Sequence, residues 1–189
     1  MSNAATGAAN ARPAAADTGP LGYLALGLTL LAFGLLRTGV FSGAGTKDAA
    51  SIALFVGGLT LFLAGMWQFR SGDGFTGTAF AGLGAFWVTW SAAVDSTTSK
   101  NAAGLFLLLW ALLALTLTAA GWQSGRLGQG VYGLLTVALV LLAISTWASS
   151  DGLGKVGGWV AAVSGLLAWY GATATLTNAA WGRTALPLK

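Results

Sequence analysis

The side chains in this chain that could do chemistry are few and mostly uncharged. The sequence has no histidine, no cysteine and no glutamate, and its five acids are Asp17, Asp48, Asp73, Asp95 and Asp151. Thiol chemistry, disulfides, zinc sites and imidazole acid–base catalysis are thereby excluded. What remains is a set of hydroxyls and one amide in apolar surroundings: Thr29, Thr60, Thr78, Thr89, Ser91, Thr116, Thr136, Ser145, Ser164, Thr173, Thr175 and Asn178. Uncharged donors of this kind can replace water around a small anion without trapping it by a full charge. Taken singly, most such hydroxyls in a membrane bond back to their own helix or join two helices. Proton-coupled carriers relay protons through buried carboxylates or histidines. No acid lies in the middle of an apolar segment here. The residues therefore fit a facilitator, a channel, or symport in which the substrate carries the proton, and they speak against a carboxylate relay. Residues 125–130, Gly-Arg-Leu-Gly-Gln-Gly, follow no strand and make no phosphate loop. No catalytic group, metal site or cofactor is expected.

The elements that must position these donors are readable from the spacing of charges. Of 189 residues, 56% are hydrophobic and 7% charged, against about a quarter charged in an ordinary soluble domain. Six windows carry no charge: 18–36, 49–69, 74–94, 101–125, 127–150 and 156–182. A membrane-crossing helix needs roughly 20 mostly apolar residues, and each window meets or nearly meets that length. A transmembrane barrel would need alternating segments of about ten residues, and 105–115 does not alternate. The fold class expected is all-α, a polytopic membrane protein with six transmembrane helices. The net charge of +4 comes from nine basic residues spread along the chain. They form no basic face for nucleic acid, so the partner expected is the lipid bilayer.

Residues 1–20 read as a flexible polar tail, 21–180 as the six-helix domain and 181–189 as a cytoplasmic C-terminal tail. Span one is read as retained rather than cleaved. The spans expected are 21–41, 51–69, 75–94, 104–122, 129–149 and 156–179. Arg37, near the end of span one, is read as reaching the headgroups. Six spans put both termini on one side. That side holds Arg12, Arg70, Arg126, Arg183 and Lys189, against Arg37, Lys47, Lys100 and Lys155 on the other. Five against four favours cytoplasmic termini by a narrow margin. Trp67, Trp122, Trp147 and Trp181 fall near span ends, as aromatic belts do. The 29 glycines put small residues inside the spans, including Gly27, Gly34, Gly57, Gly58, Gly65, Gly84, Gly157 and Gly158, where they let helices pack closely in lipid.

Three stretches together resemble the acetate uptake transporter family, whose bacterial members are called succinate–acetate permeases. Residues 19–23, Gly-Pro-Leu-Gly-Tyr, resemble the end of the family signature Asn-Pro-Ala-Pro-Leu-Gly-Leu, with Pro20, Leu21 and Gly22 matching. Residues 64–87 read Ala-Gly-Met-Trp-Gln-Phe-Arg-Ser-Gly-Asp-Gly-Phe-Thr-Gly-Thr-Ala-Phe-Ala-Gly-Leu-Gly-Ala-Phe-Trp. The family has Ala-Gly, a basic residue, a Gly-Asn or Gly-Asp turn, Phe-x-x-Thr-Ala-Phe and Gly-x-Phe-Trp, which ends here at Phe86 and Trp87. Residues 182–187, Gly-Arg-Thr-Ala-Leu-Pro, match the family ending. The resemblance implies a homohexamer in the cell (inner or plasma) membrane, with cytoplasmic termini and a pathway in each protomer. It implies movement of acetate and related small monocarboxylates, with succinate a further candidate, by an anion channel or proton symport. It carries the mid-membrane constriction onto Leu26, Leu83 and Leu135, and a further selectivity position onto Ala168. Thr29, one turn from Leu26, would face the same path. Arg70 would raise the anion concentration at the cytoplasmic mouth.

The chain departs from that family at several points. Leu26 stands where Phe is usual, and Leu83 where Tyr is usual. Asp17-Thr18 replaces the first Asn-Pro, Gln68 a glutamate after Ala-Gly, and Thr175 another glutamate. An all-leucine ring is more apolar and gates by dewetting. These departures motivate the second reading, a family member acting as a channel for small neutral solutes or as a sensor, without acetate transport.

Overall fold

The computed structural model describes residues 16–93, 98–123 and 125–188. Most of the expected N-terminal tail, and Arg12, Asp95 and Lys189 from the charge count, lie outside them. Helix α1 (Gly19–Thr38) opens with Pro20 in its first turn and ends at Gly39, whose φ of 78° is left-handed. The second crossing begins as α2 (Thr46–Ile52), passes through a π-helical stretch (Ala53–Thr60) and ends as α3 (Leu61–Ser71). Then come α4 (Gly74–Ala93), α5 (Lys100–Ala120), a 3-10 turn (Gly121–Gln123), α6 (Arg126–Ala148) and α7 (Asp151–Trp181). The described residues contain no strand. Five of the crossings are long and apolar enough to span a membrane: Gly19–Thr38, Lys47–Ser71, Lys100–Ala120, Arg126–Ala148 and Asp151–Trp181. The sixth, α4, has 20 residues but spends many on glycine, threonine and tryptophan. One face of it packs into the bundle, where Phe80, Leu83, Phe86 and Trp87 are buried.

Small residues set the closest contacts. On α1, a methyl at Gly27 would meet the Trp169 backbone nitrogen of α7 at 2.6 Å, and one at Gly34 would meet the Gly158 carbonyl oxygen at 2.5 Å. From α7, a methyl at Gly165 would meet the Leu31 nitrogen at 2.6 Å. The two backbones therefore touch along two turns with nothing between them. Gly65 lies as close to Ala81, and Gly84 to Phe62, joining α3 to α4. Aromatic rings fill the wider gap between α4 and α5. Phe86 stacks on Phe106 with centroids 5.4 Å apart, and Trp110 Nε1 donates to the Gly82 carbonyl at 3.3 Å. The outer surface is apolar. Leu105, Leu109, Leu112 and Leu115 on α5 are each about half exposed, as a surface facing lipid requires.

Several residues singled out in the sequence gain partners in the fold. Arg37, near the end of α1, pairs through its Nη1 with Asp151 at 3.2 Å, both side chains partly exposed. Gly154, with no side chain, leaves room for the guanidinium. Asn178 is no pathway donor. Its Nδ2 donates to the Leu186 carbonyl, and its Oδ1 accepts from the Ala185 and Leu186 N–H groups. The C-terminal segment is thereby folded back on α7, with Tyr170 donating to the Pro187 carbonyl at 2.9 Å. Asp17 and Gln68, two separate departures in sequence, meet in space. Gln68 Nε2 donates to Asp17 Oδ1 at 3.0 Å, and the same oxygen accepts from the Gly19 N–H. An amide and a carboxylate thus face each other at the two positions where the resembled pattern has Asn and Glu.

The glycine contacts predict opposite effects at two sites. Gly34→Ala is expected to cost about 1–3 kcal/mol by overpacking. Gly133→Ala has room, since its methyl would lie 3.6 Å from Thr118 Cγ2, and it should be neutral or gain about 0.5–1 kcal/mol. Thermal unfolding in detergent compares them; equal midpoints would remove the close-packing explanation.

Candidate functional site

Leu26 of α1, Leu83 of α4 and Leu135 of α6 are buried to 3% exposure or less and belong to one apolar cluster. Ala168 of α7 joins the same cluster, and Thr29 is buried one turn along α1 from Leu26. The five positions carried over by resemblance thus come from four helices into the buried interior. The helices can deliver them there because Gly27 sits beside Leu26, and Gly165 one turn before Ala168. Both glycines lie in the α1–α7 contact.

Two recesses flank this interior. At the end holding the start of α1 and the end of α7, a cavity of about 230 Å³ is lined by residues including Tyr23, Phe75, Val131, Tyr132, Ala168 and Thr175. Along α7 it runs from Thr175 inward to Ala168, and along α6 it reaches Tyr132, one turn short of Leu135. At the opposite end, a recess of about 290 Å³ is lined by Arg37, Lys100, Ser145, Thr146, Ser149, Ser150 and Asp151. Lys100 Nζ donates to Ser149 Oγ at 2.6 Å there, and Asp151 bridges Arg37 and Lys155.

Most of the hydroxyls read as candidate donors are committed to structure. Thr78, Thr89, Thr116, Thr136 and Thr175 each donate to the carbonyl four residues back. Thr60 reaches five back, to Phe55, as the π-helical turn requires. Ser91 ties α4 to the Ala50 carbonyl, and Ser164 ties α7 to the Val131 carbonyl. Thr29 is the exception: among the described residues its Oγ1 is the buried side-chain oxygen without a partner. It faces the π-helical stretch, where a methyl at Gly57 would stand 2.9 Å from that oxygen and 2.9 Å from Trp87 Cδ1. Buried hydroxyls are nearly always paired, and π-helical turns are frequent at functional sites.

Arg70, expected at the cytoplasmic mouth, is exposed in the last turn of α3 and does not line the cavity at Tyr132. Gln68 points inward, and two residues further turn a helix through about 200°, so Arg70 faces out. Arg37 and Lys100 are the basic residues that line a recess. Of the motif residues, Pro20 starts α1 and Leu21 faces outward. Gly22 leaves space for the Phe80 ring. Phe86 and Trp87 are buried, and Trp87 meets Phe33 edge-on with centroids 5.5 Å apart. Sequence reasoning passed over Tyr23 and Tyr132. The signal was their place three residues before Leu26 and Leu135, which puts each on the face of a constriction leucine.

Crossings long and apolar enough to span a membrane, with a recess at each end of the bundle, mark a multi-pass membrane protein. The sequence pattern of the GPR1/FUN34/yaaH family matches residues 3–182, and the chain belongs to that family. It is similar to the succinate-acetate/proton symporter SatP of Escherichia coli strain K12, at 32% identity over 180 residues, covering 92% of this chain and 95% of that protein. The solved structure of the bacterial acetate channel SatP matches with a TM-score of 0.85 at 29% identity, covering 92% of this chain and 99% of that one. Ammonia transport outward protein 2 of Saccharomyces cerevisiae is 28% identical over 175 residues, covering 86% of this chain and 62% of that protein.

An unpaired buried hydroxyl lowers stability, so removing it tests its purpose. Thr29→Val keeps the shape and should raise stability by about 1 kcal/mol, read as the unfolding midpoint in detergent. A loss of similar size would mean that the hydroxyl supports the fold.

Proposed function

We propose that this protein conducts acetate and related small monocarboxylates, succinate among the candidates, across the cell membrane. The functional unit is the helical domain 21–180, one pathway per protomer, assembled as a homohexamer with both termini in the cytoplasm. It performs no covalent chemistry. The observation that supports this reading is that Leu26, Leu83, Leu135, Ala168 and Thr29 are all buried inside a bundle with a recess at each end. The relatives named as acetate transporters and channels support the choice of substrate.

Arg37 and Lys100 at one recess draw in anions, with Asp151 limiting how firmly they hold. In the layer the carboxylate loses water, and Thr29 supplies an O–H donor at mid-path. The methyl end passes the three leucines, which stay closed by dewetting until a solute of the right width enters. No Asp, Glu or His in the layer can relay a proton. Coupling, where present, rests on a proton carried with the substrate. The yeast ammonia-transport relative and the all-leucine layer favour one second reading, passage of a small neutral solute.

Labelled acetate uptake into liposomes holding the purified protein tests the proposal. Saturable uptake above empty liposomes is expected. Accumulation that requires an inward proton gradient identifies symport, and simple equilibration identifies a channel. Ammonia passage with no acetate uptake would install the second reading. Leu135→Ala should raise the lactate-to-acetate uptake ratio about tenfold; an unchanged ratio removes Leu135 from the constriction.

A further inference from the structure

We infer that Tyr23 and Tyr132 form a carboxylate-binding station at the inner end of the cavity on the terminal side of the bundle, immediately before the leucine layer. The inference rests on the proposed transport of small monocarboxylates and names where such an anion is held.

The two side chains come from different helices and meet at the inner wall of the cavity, Tyr23 partly exposed and Tyr132 buried behind it. Tyr132 Oη lies 3.4 Å from Tyr23 Oη, and both residues line the cavity with Ala168 and Thr175. Each ring is fixed by a neighbour. Phe80 meets Tyr23 edge-on with centroids 5.1 Å apart, and Phe75 meets Tyr132 edge-on at 6.2 Å. Two phenols bring two O–H protons, and their mutual contact uses one. The second is available to a guest. A hydroxyl pair this long between oxygens is also weak, so a carboxylate can replace it by accepting from both groups.

The space in front of the pair is kept open. A methyl at Gly171 would have nothing within 4 Å, and one at Gly128 would still lie 3.9 Å from Tyr23 Oη. Thr175, on the same wall, is committed to the Gly171 carbonyl. Asp73, at this end of the bundle, accepts from the Thr76 N–H at 2.9 Å. The tyrosine pair is therefore the donor set at the inner end of the cavity.

Position gives the pair its role. Tyr23 precedes Leu26 by three residues and Tyr132 precedes Leu135 by three. A carboxylate held between the hydroxyls has its apolar end one helical turn from the leucines. It exchanges water for two fixed donors before it enters a layer that offers only Thr29. Uncharged donors hold the anion without the deep well that a lysine or arginine would create, so it can move on. A neutral solute gains little from the same pair.

The variants are Tyr23→Phe, Tyr132→Phe and the double change, each keeping the ring that packs against its phenylalanine. Uptake of labelled acetate is measured over a concentration series in liposomes. For the double variant the half-saturating concentration should rise about tenfold, with the maximal rate and the unfolding midpoint kept. Half-saturation equal to the parent protein overturns the station and leaves the transport reading standing. If the parent protein takes up no acetate, the transport reading fails. Saturation-transfer NMR with acetate on purified protein then decides the station separately. A signal in the parent protein that is lost in the double variant upholds it, and equal signals, or none in either, overturn it.

Discussion

The bare-backbone contact between α1 and α7 is the constraint on which the rest of the structure depends. In lipid the hydrophobic effect gives helices no reason to associate, so close approach of small residues must supply the packing. Gly27 and Gly34 on one helix face Gly158 and Gly165 on the other, seven residues apart in each case. That contact joins the first crossing of the chain to the last. It also sets the relative heights of Leu26 and Ala168, because Leu26 adjoins Gly27 and Ala168 follows Gly165 by one turn. A side chain inserted in the seam would move the two sets of layer residues apart.

The layer's chemistry follows from what can be afforded at that depth. A full charge in the bilayer core is costly and holds an ion too firmly for passage. The chain keeps its charges near helix ends instead, with Arg37 balanced by Asp151. Within the layer it leaves a single uncommitted hydroxyl, Thr29, against a π-helical stretch whose Gly57 keeps the neighbouring backbone clear. Phe33, Phe86, Trp87 and Trp90 wall off one side as a contiguous edge-to-face cluster.

Much of the fold was legible because charge marks the membrane boundary. The six uncharged windows locate all six crossings, and most helix ends fall within a few residues of the expected limits. Span two begins earlier, with α2 at Thr46, because Lys47 and Asp48 sit in the first turn of a helix rather than in a loop. The π-helical stretch left no trace. A uniformly apolar segment has no periodicity from which a change in helical register can be read. The partners of Arg37 and Asn178 were not legible, because Asp151 lies far along the chain and the C-terminal segment folds back on α7, which residue type alone does not reveal. Asp17 and Gln68 looked like independent departures until the fold brought them to 3.0 Å. The choice of Leu26, Leu83 and Leu135 rests on resemblance alone, since one buried leucine resembles another. The tyrosines one turn before them carried a spacing signal that became meaningful once the cavity was seen.

The absence of cysteine allows the most direct test of the account. Single changes Ala168→Cys, at the layer, and Leu105→Cys, on the lipid-facing side of α5, are treated with a small methanethiosulfonate. Acetate uptake is then measured in liposomes. The account predicts that modification at 168 blocks uptake and that modification at 105 leaves it intact. Undiminished uptake after complete modification at 168 would contradict a path through the leucine layer.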